Sequence, residues 1–167
     1  TMKAAGVPIT PGSEGVLNHV DDALKLAREM NYPVLLKAVA GGGGKGMRVA
    51  RSDEELTQGF MAAQAEGKAA FGNPDLFMEK YIESARHVEV QVIGDKYGNV
   101  CHVGERDCSI QRRHQKLVEE APCPTLSDEE RRALGDAAVK AASAVSYDSA
   151  GTLEFLYDEI EKQFYFM

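Results

Sequence analysis

The chain has 167 residues, enough for one domain or two small lobes with a real core. Hydrophobic residues make up 44% and charged residues 27%, as in an ordinary soluble globular protein, and the net charge of −7 argues against a nucleic-acid-binding surface. No apolar run is long enough to cross a bilayer, and no signal-peptide pattern opens the chain. Cys101, Cys108 and Cys123 are odd in number and lack Cys-x-x-Cys spacing. They read as reduced thiols of an intracellular compartment rather than a disulfide framework or a zinc site.

In chain order, apolar residues at Val20, Ala23, Leu24, Ala27 and Met30 predict a helix over His19 to Met30. Tyr32 to Ala38 reads as a strand, followed by Gly41-Gly42-Gly43-Gly44-Lys45-Gly46 and a second strand at Met47-Arg48-Val49-Ala50. Ser52-Asp53-Glu54-Glu55 reads as a capping box opening a helix to about Phe71, which Gly72-Asn73-Pro74 ends. Asp75 to Ile82 and His87 to Ile93 are expected strands, the second alternating Val88, Val90 and Val92 against His87, Glu89 and Gln91. Asp95 to Asn99 forms a hairpin turn into a strand over Val100 to Glu105. Ser127-Asp128-Glu129-Glu130 repeats the capping box before a helix to about Val145, and Gly151 to Tyr157 with Phe164 to Phe166 make a final hairpin. The order is α+β: a β-β-α-β lobe, then antiparallel strands and a helix, with a boundary near Glu79 to Ser84. Such lobes would hold a ligand between a glycine-rich lid and a sheet. Both ends read as cut, which makes the chain a segment of a longer protein.

The glycine hairpin is the most telling stretch. A tip with almost no side chains can take positive φ and turn successive N–H groups towards an anion. Lys37 at its base and Lys45 within it supply positive charge, so a polyphosphate is the natural guest. The P-loop pattern is absent, since Gly46 follows Lys45, and so is the strand–loop–helix setting of a Rossmann fingerprint. A flexible hairpin is the plain alternative. Glu79-Lys80-Tyr81-Ile82, joining two lobes, can present backbone groups to an adenine edge or can be a solvated edge strand. Glu105 to Lys116 mixes Arg106, Arg112, Arg113, His114 and Lys116 with acceptors and has no helical periodicity. It suits a phosphate or carboxylate site, against the alternative of a solvated charge run. Glu154, between Leu153 and Phe155, suits Mg²⁺ or faces solvent from a half-buried strand.

Tyr-Pro-x-Leu-Leu-Lys with the glycine loop, Met-Glu-Lys-Tyr, Arg-His-Val-Glu-Val-Gln, Glu-Arg-Asp-Cys-Ser-x-Gln-Arg-Arg-His-Gln-Lys and Ala-Gly-Thr-Leu-Glu-Phe together resemble biotin carboxylase. This is the ATP-grasp component of acetyl-CoA, propionyl-CoA, methylcrotonyl-CoA and pyruvate carboxylases, and the resemblance covers essentially the whole chain. The glycine loop would fit ATP-grasp enzymes generally; the Glu105 to Lys116 stretch is the more specific part.

The resemblance implies an ATP-grasp fold divided into a leading segment (1–34), a lid lobe (35–83) and an incomplete C-terminal lobe (84–167). It implies an ATP-dependent carbon–nitrogen ligase in which ATP activates bicarbonate and the resulting CO₂ carboxylates biotin on a carrier domain. Lys37 would hold the α- and β-phosphates, with Gly42, Gly43, Gly44, Lys45, Gly46 and Met47 closing over them. Glu79, Lys80, Tyr81 and Ile82 would meet adenine, with Leu156 under the base. His87 and Gln111 would address the ribose side and His114 the phosphates. Lys116 would sit by bicarbonate and the γ-phosphate, and Glu154 would be the Mg²⁺ ligand, Mn²⁺ being an alternative ion. Lys116, His114 and Glu154 would form the catalytic set.

Partners implied are a biotin carrier domain, a carboxyltransferase and further copies of the parent, with neither nucleic acid nor membrane involved. The compartment would be the cytoplasm or, in a eukaryote, the mitochondrial matrix. Ile82 stands where the family usually has Leu, and Ala85 where it commonly has Pro. The family's Glu-x-Asn and Arg-x-Gln-Val-Glu motifs are absent from this sequence, as are an upstream nucleotide-binding lysine and an N-terminal Rossmann-like subdomain, so this segment alone is expected not to turn over. Competing readings are another ATP-grasp ligase, such as a carbamoyl-phosphate-synthetase-like protein or urea carboxylase, and a non-catalytic nucleotide-binding module.

Overall fold

The computed structural model describes residues 1–40, 46–113 and 115–167. The expectations placed on Gly42, Gly43, Gly44, Lys45 and His114 therefore lie outside the described residues. The chain divides into two compact units, Thr10–Ile82 and Thr1–Ile9 with Glu83–Met167. The first nine residues thus group with the larger unit, and residues 10–34 with the smaller.

The smaller unit builds from an amphipathic helix α1 (Val20–Met30), strands β1 (Val34–Ala38) and β2 (Met47–Ala50), helix α2 (Asp53–Phe71) and strand β3 (Leu76–Lys80). Its antiparallel sheet runs β2-β1-β3, with the apolar run of β1 in the centre. Val34, Leu36 and Ala38 point from β1 into one core with Leu56, Phe60 and Ala63 of α2 and Ala23 and Ala27 of α1. That alternation fits a sheet covered by helices on one face.

At the β1–β2 hairpin, Gly46 takes φ +76° and its carbonyl accepts from the Ala38 N–H at 2.9 Å. A Cβ there would lie 2.8 Å from that of Ala38, so both space and backbone demand glycine. Only half of the expected capping box forms at α2. The Ser52 hydroxyl accepts from Glu55 N, but the Glu55 carboxylate accepts from Arg51 N–H rather than from that of the cap.

The larger unit is a five-stranded antiparallel sheet, β6-β5-β4-β7-β8, with helix α3 packed on one face. Its elements are β4 (Ala85–Gly94), β5 (Val100–Arg112), β6 (Gln115–Glu120), α3 (Asp128–Ala144), β7 (Ala150–Asp158) and β8 (Gln163–Phe166). Val88, Val90 and Val92 join Phe155, Tyr157, Leu134, Ala138, Ala141 and Ala142 in the core. At α3 the capping box is complete, and Glu130 also receives the Tyr157 hydroxyl at 2.5 Å.

At the charged stretch the structure corrects the expected end of a strand. The strand expected to stop at Glu105 runs on to Arg112, and β6 pairs back against it, with Glu105, Asp107 and Cys108 buried and Ile110, Arg112 and Gln115 exposed. Alternating charge hid the strand, because neither face of it is uniformly apolar.

Candidate functional site

In the larger unit, register decides which polar side chains meet. Directly paired residues on neighbouring strands share a sheet face. His87 pairs with Leu156 and Glu89 with Glu154 across β4–β7, while Glu89 pairs with Arg106 across β4–β5. These residues lie on the face opposite the valines that pack under α3.

The β4–β5 register shifts between Val90–Glu105 and Val92–His102, where Gly104 takes φ +103°. This is the signature of a β-bulge. Without the extra residue, Glu105 would stand opposite Glu89. With it, Arg106 does, and Glu105 turns to the helix side to accept from Arg131 Nε at 2.7 Å.

Two carboxylates placed directly opposite, Glu89 and Glu154, would repel without a cation. Lys116 fills that role. Its Nζ donates to Glu89 Oε2 at 2.5 Å and to Glu154 Oε1 at 2.7 Å. Arg106 donates to Glu89 Oε1 through Nε at 2.8 Å and through Nη2, which also reaches Gln91 Oε1. The Glu89 side chain is 6% exposed and that of Glu154 40%.

Burial pushes the Glu89 carboxyl up, but hydrogen bonds from Lys116 and Arg106 outweigh it and hold it below the ordinary range. Burial likewise pulls the Lys116 ammonium down, and Glu154 and Glu89 more than reverse it. Lys116 therefore keeps its charge across neutral pH. His87 is held below its usual value, chiefly by burial, against the pull of Glu154. It is neutral at physiological pH.

His87, Glu89 and Glu154 bring one ligand atom each within 4.8 Å of one another. The donor chemistry discriminates among them. Mg²⁺ takes oxygen ligands, commonly one or two carboxylates plus phosphate and water. Both Glu89 oxygens are committed to cations, and an imidazole is a poor Mg²⁺ ligand. Of the two carboxylates, Glu154 is the more exposed.

In the smaller unit, Lys37 Nζ lies 2.5 Å from Glu79 Oε2 and 5.7 Å from the centre of the Phe77 ring. The two residues come together because β1 and β3 are antiparallel neighbours. Lys80 N–H donates to Pro11 O at 2.7 Å and Tyr81 N–H to Pro33 O at 3.1 Å. Lys80 Nζ donates to Asn31 O at 2.9 Å, and Tyr81 stacks under the Arg51 guanidinium. The Lys80 and Tyr81 main-chain donors of the segment expected to meet adenine are thus already used within the unit. Met47 is exposed at the start of β2.

Among the expected site residues of the larger unit, the structure brings Lys116, Glu154, His87 and Gln111 together, with Leu156 beside them in the register. Reasoning from sequence set Glu89 and Gln91 beside His87 on one strand face without naming them as site residues, and it gave Arg106 no role as their partner. The available signal was a glutamate on the face opposite three valines of one strand; the bulge that supplies Arg106 had none beyond a lone glycine.

A three-stranded antiparallel lobe and a five-stranded antiparallel sheet bearing a lysine between two acids are the marks of an ATP-grasp domain. The chain belongs to the family described as the carbamoyl-phosphate synthase L chain, ATP binding domain, which matches residues 1–167. It is 61% identical over its whole length to biotin carboxylase 1 of Bacillus subtilis, of which it covers 37%. A biotin carboxylase–βγ-ATP complex from Campylobacter jejuni superposes with TM-score 0.91 at 55% identity, over 99% of this chain and 37% of that one. The biotin carboxylase domain dimer of Hydrogenobacter thermophilus 2-oxoglutarate carboxylase, bound to MgADP, ADP and bicarbonate, gives TM-score 0.89 at 56% identity, over 99% and 36%. The chain thus spans about a third of the length of these relatives. Among the described residues, no helix is long and apolar enough to cross a membrane.

Proposed function

We propose that this chain is the nucleotide- and Mg²⁺-binding part of a biotin carboxylase, the ligase that uses ATP and bicarbonate to carboxylate biotin on a carrier domain. The observation that carries the reading is Lys116 held between Glu89 and Glu154 on one sheet face. A preorganised cation beside an exchangeable carboxylate is what phosphoryl transfer to an anionic acceptor needs, because charge develops on oxygens that must be met without reorganisation.

In this reading Glu154 holds the metal, which when bound offsets phosphate charge. Lys116, released from Glu154, faces the γ-phosphate and bicarbonate. Arg106 keeps Glu89 ionised and so fixes Lys116 from the other side. His87 and Gln111 address the ribose side and Leu156 lies under the base. Lys37 takes the α- and β-phosphates, exchanging its Glu79 contact for them. Gly46 and Met47, with Gly42, Gly43, Gly44 and Lys45, cover the phosphates, and His114 adds a phosphate contact. With Lys80 and Tyr81 N–H groups engaged, the adenine edge falls to Glu79 and to Ile82 N–H.

The parent would work with a biotin carrier domain and a carboxyltransferase, as a homo-oligomer. The three unpaired thiols of this chain favour a reducing compartment such as the cytoplasm or mitochondrial matrix. Calorimetric titration of the chain with MgADP tests the reading. Saturable binding that Glu154→Gln weakens in the presence of Mg²⁺, and much less with EDTA, is expected; absence of binding would overturn it.

A further inference from the structure

Among the described residues, one buried side-chain nitrogen on this sheet face makes no hydrogen bond. His87 Nε2 is buried without a hydrogen bond, 3.3 Å from Glu154 Oε2 but out of hydrogen-bond geometry. The other ring nitrogen, Nδ1, is 2.9 Å from Gln111 Nε2. The same amide nitrogen donates to the Cys108 main-chain oxygen at 2.8 Å.

These two contacts settle a proton. A carbonyl oxygen only accepts, so the Gln111 atom facing Cys108 must be the NH₂ group. That group then presents its second N–H to His87, and Nδ1 must accept it. A neutral imidazole that accepts at Nδ1 carries its proton on Nε2.

The main chain of His87 is gripped from the same strand. Its N–H donates to Ser109 Oγ at 3.0 Å, and Ser109 Oγ and N donate to Asp107 Oδ1 at 2.6 and 2.9 Å. Arg86 Nη1 holds the other Asp107 oxygen at 2.8 Å. Val88–Asp107 is the last paired position of the β4–β5 ladder towards His87, so Ser109 supplies the acceptor that the ladder does not.

We propose that Gln111 is a positioning residue that locks His87 as the neutral Nε2–H tautomer, making it a directed hydrogen-bond donor to a hydroxyl or phosphate oxygen of the nucleotide. The ligand half of this rests on the proposed function; the tautomer half stands on the geometry alone. Gln111 acts here through His87. A glutamine turned the other way, or absent, would leave Nδ1 free to carry the proton, and Nε2 would become an acceptor that a phosphate oxygen cannot meet.

The test is the pair of ring-nitrogen resonances of His87 in the isotopically labelled chain, well above the histidine range of pH and without nucleotide. A protonated Nε2 and a bare Nδ1 are expected; the reverse pattern overturns the proposal. Gln111→Glu, acceptor-only at this pH, is expected to move the proton to Nδ1. Gln111→Ala, as a milder change, is expected to give a mixture of tautomers. Either folded variant that kept a pure Nε2–H form would overturn the lock. With MgADP bound to the unsubstituted chain, the Nε2 proton should shift downfield as it gains an acceptor. Binding with no shift overturns the donor role. Failure to bind at all overturns the nucleotide reading, and the ligand half with it, while leaving the tautomer result standing.

Discussion

Lys116 and Lys37 are both lysines paired to glutamate, yet their surroundings set different tasks. Lys116 Nζ bridges two carboxylates that would otherwise face each other across β4 and β7, whereas Lys37 meets Glu79 alone. In a full-length parent, Lys116→Gln is expected to cut bicarbonate-dependent ATP cleavage about 10²- to 10³-fold, the usual loss for one preorganised electrostatic contact. Nucleotide affinity should stay nearly intact. Lys37→Gln should instead weaken ATP binding, because its charge would meet phosphates already anionic in the ground state. Steady-state rates together with equilibrium nucleotide binding on both variants separate the two outcomes. Equal activity of Lys116→Gln and parent at saturating bicarbonate would return this lysine to a purely structural role.

At the scale of elements, β5 depends on Gly104 and α3 on its first turn. Any side chain at Gly104 would have to hold φ +103°, which non-glycine residues rarely adopt. Gly104→Ala is expected to lower stability by about 1–2 kcal/mol, seen as a fall of some degrees in the thermal midpoint. It should also loosen the Arg106–Glu89 contact that the bulge sets up.

At α3, hydrogen bonds from Tyr157 and Ser127 hold the Glu130 carboxyl down at about 2, from an ordinary value of 4.5. A carboxyl with a depressed folded value lends stability that is fully present above its unfolded value and is lost as pH falls through the folded one. The loss therefore runs from about pH 4.5 down to about pH 2. Tyr157→Phe should remove about 1 kcal/mol at neutral pH and flatten this acid limb. Denaturant midpoints measured across the range would show it, and an unchanged limb would count against the contact.

For the whole molecule, two separate cores mean that damage in one unit need not spread evenly. Leu36→Ala empties space in the smaller unit's core and is expected to cost about 2–5 kcal/mol. Hydrogen exchange should then show lost protection in β1, β2 and β3, with β4, β5 and β7 retaining theirs. Uniform loss across both sheets would mean that the units unfold as one.

Much of this architecture was legible in the sequence. Apolar spacing placed α1 and α2, Ser127 to Glu130 placed the start of α3, and the valines of β4 marked its buried face. Local chemistry sufficed there, because helix periodicity, capping and strand alternation are written in adjacent residues. The candidate lysine, acid and histidine could likewise be named one by one from their motifs. What only the tertiary structure decided was who meets whom. Glu89 is a buried glutamate on a strand face that composition alone marks as solvated. Its partner is Arg106 rather than Glu105 because one bulge at Gly104 shifts a register. The charged run became a hairpin because Gln111 and Lys116 pair across the β5–β6 turn. Register and burial arise from contacts between residues distant in the chain, and no local pattern carries them.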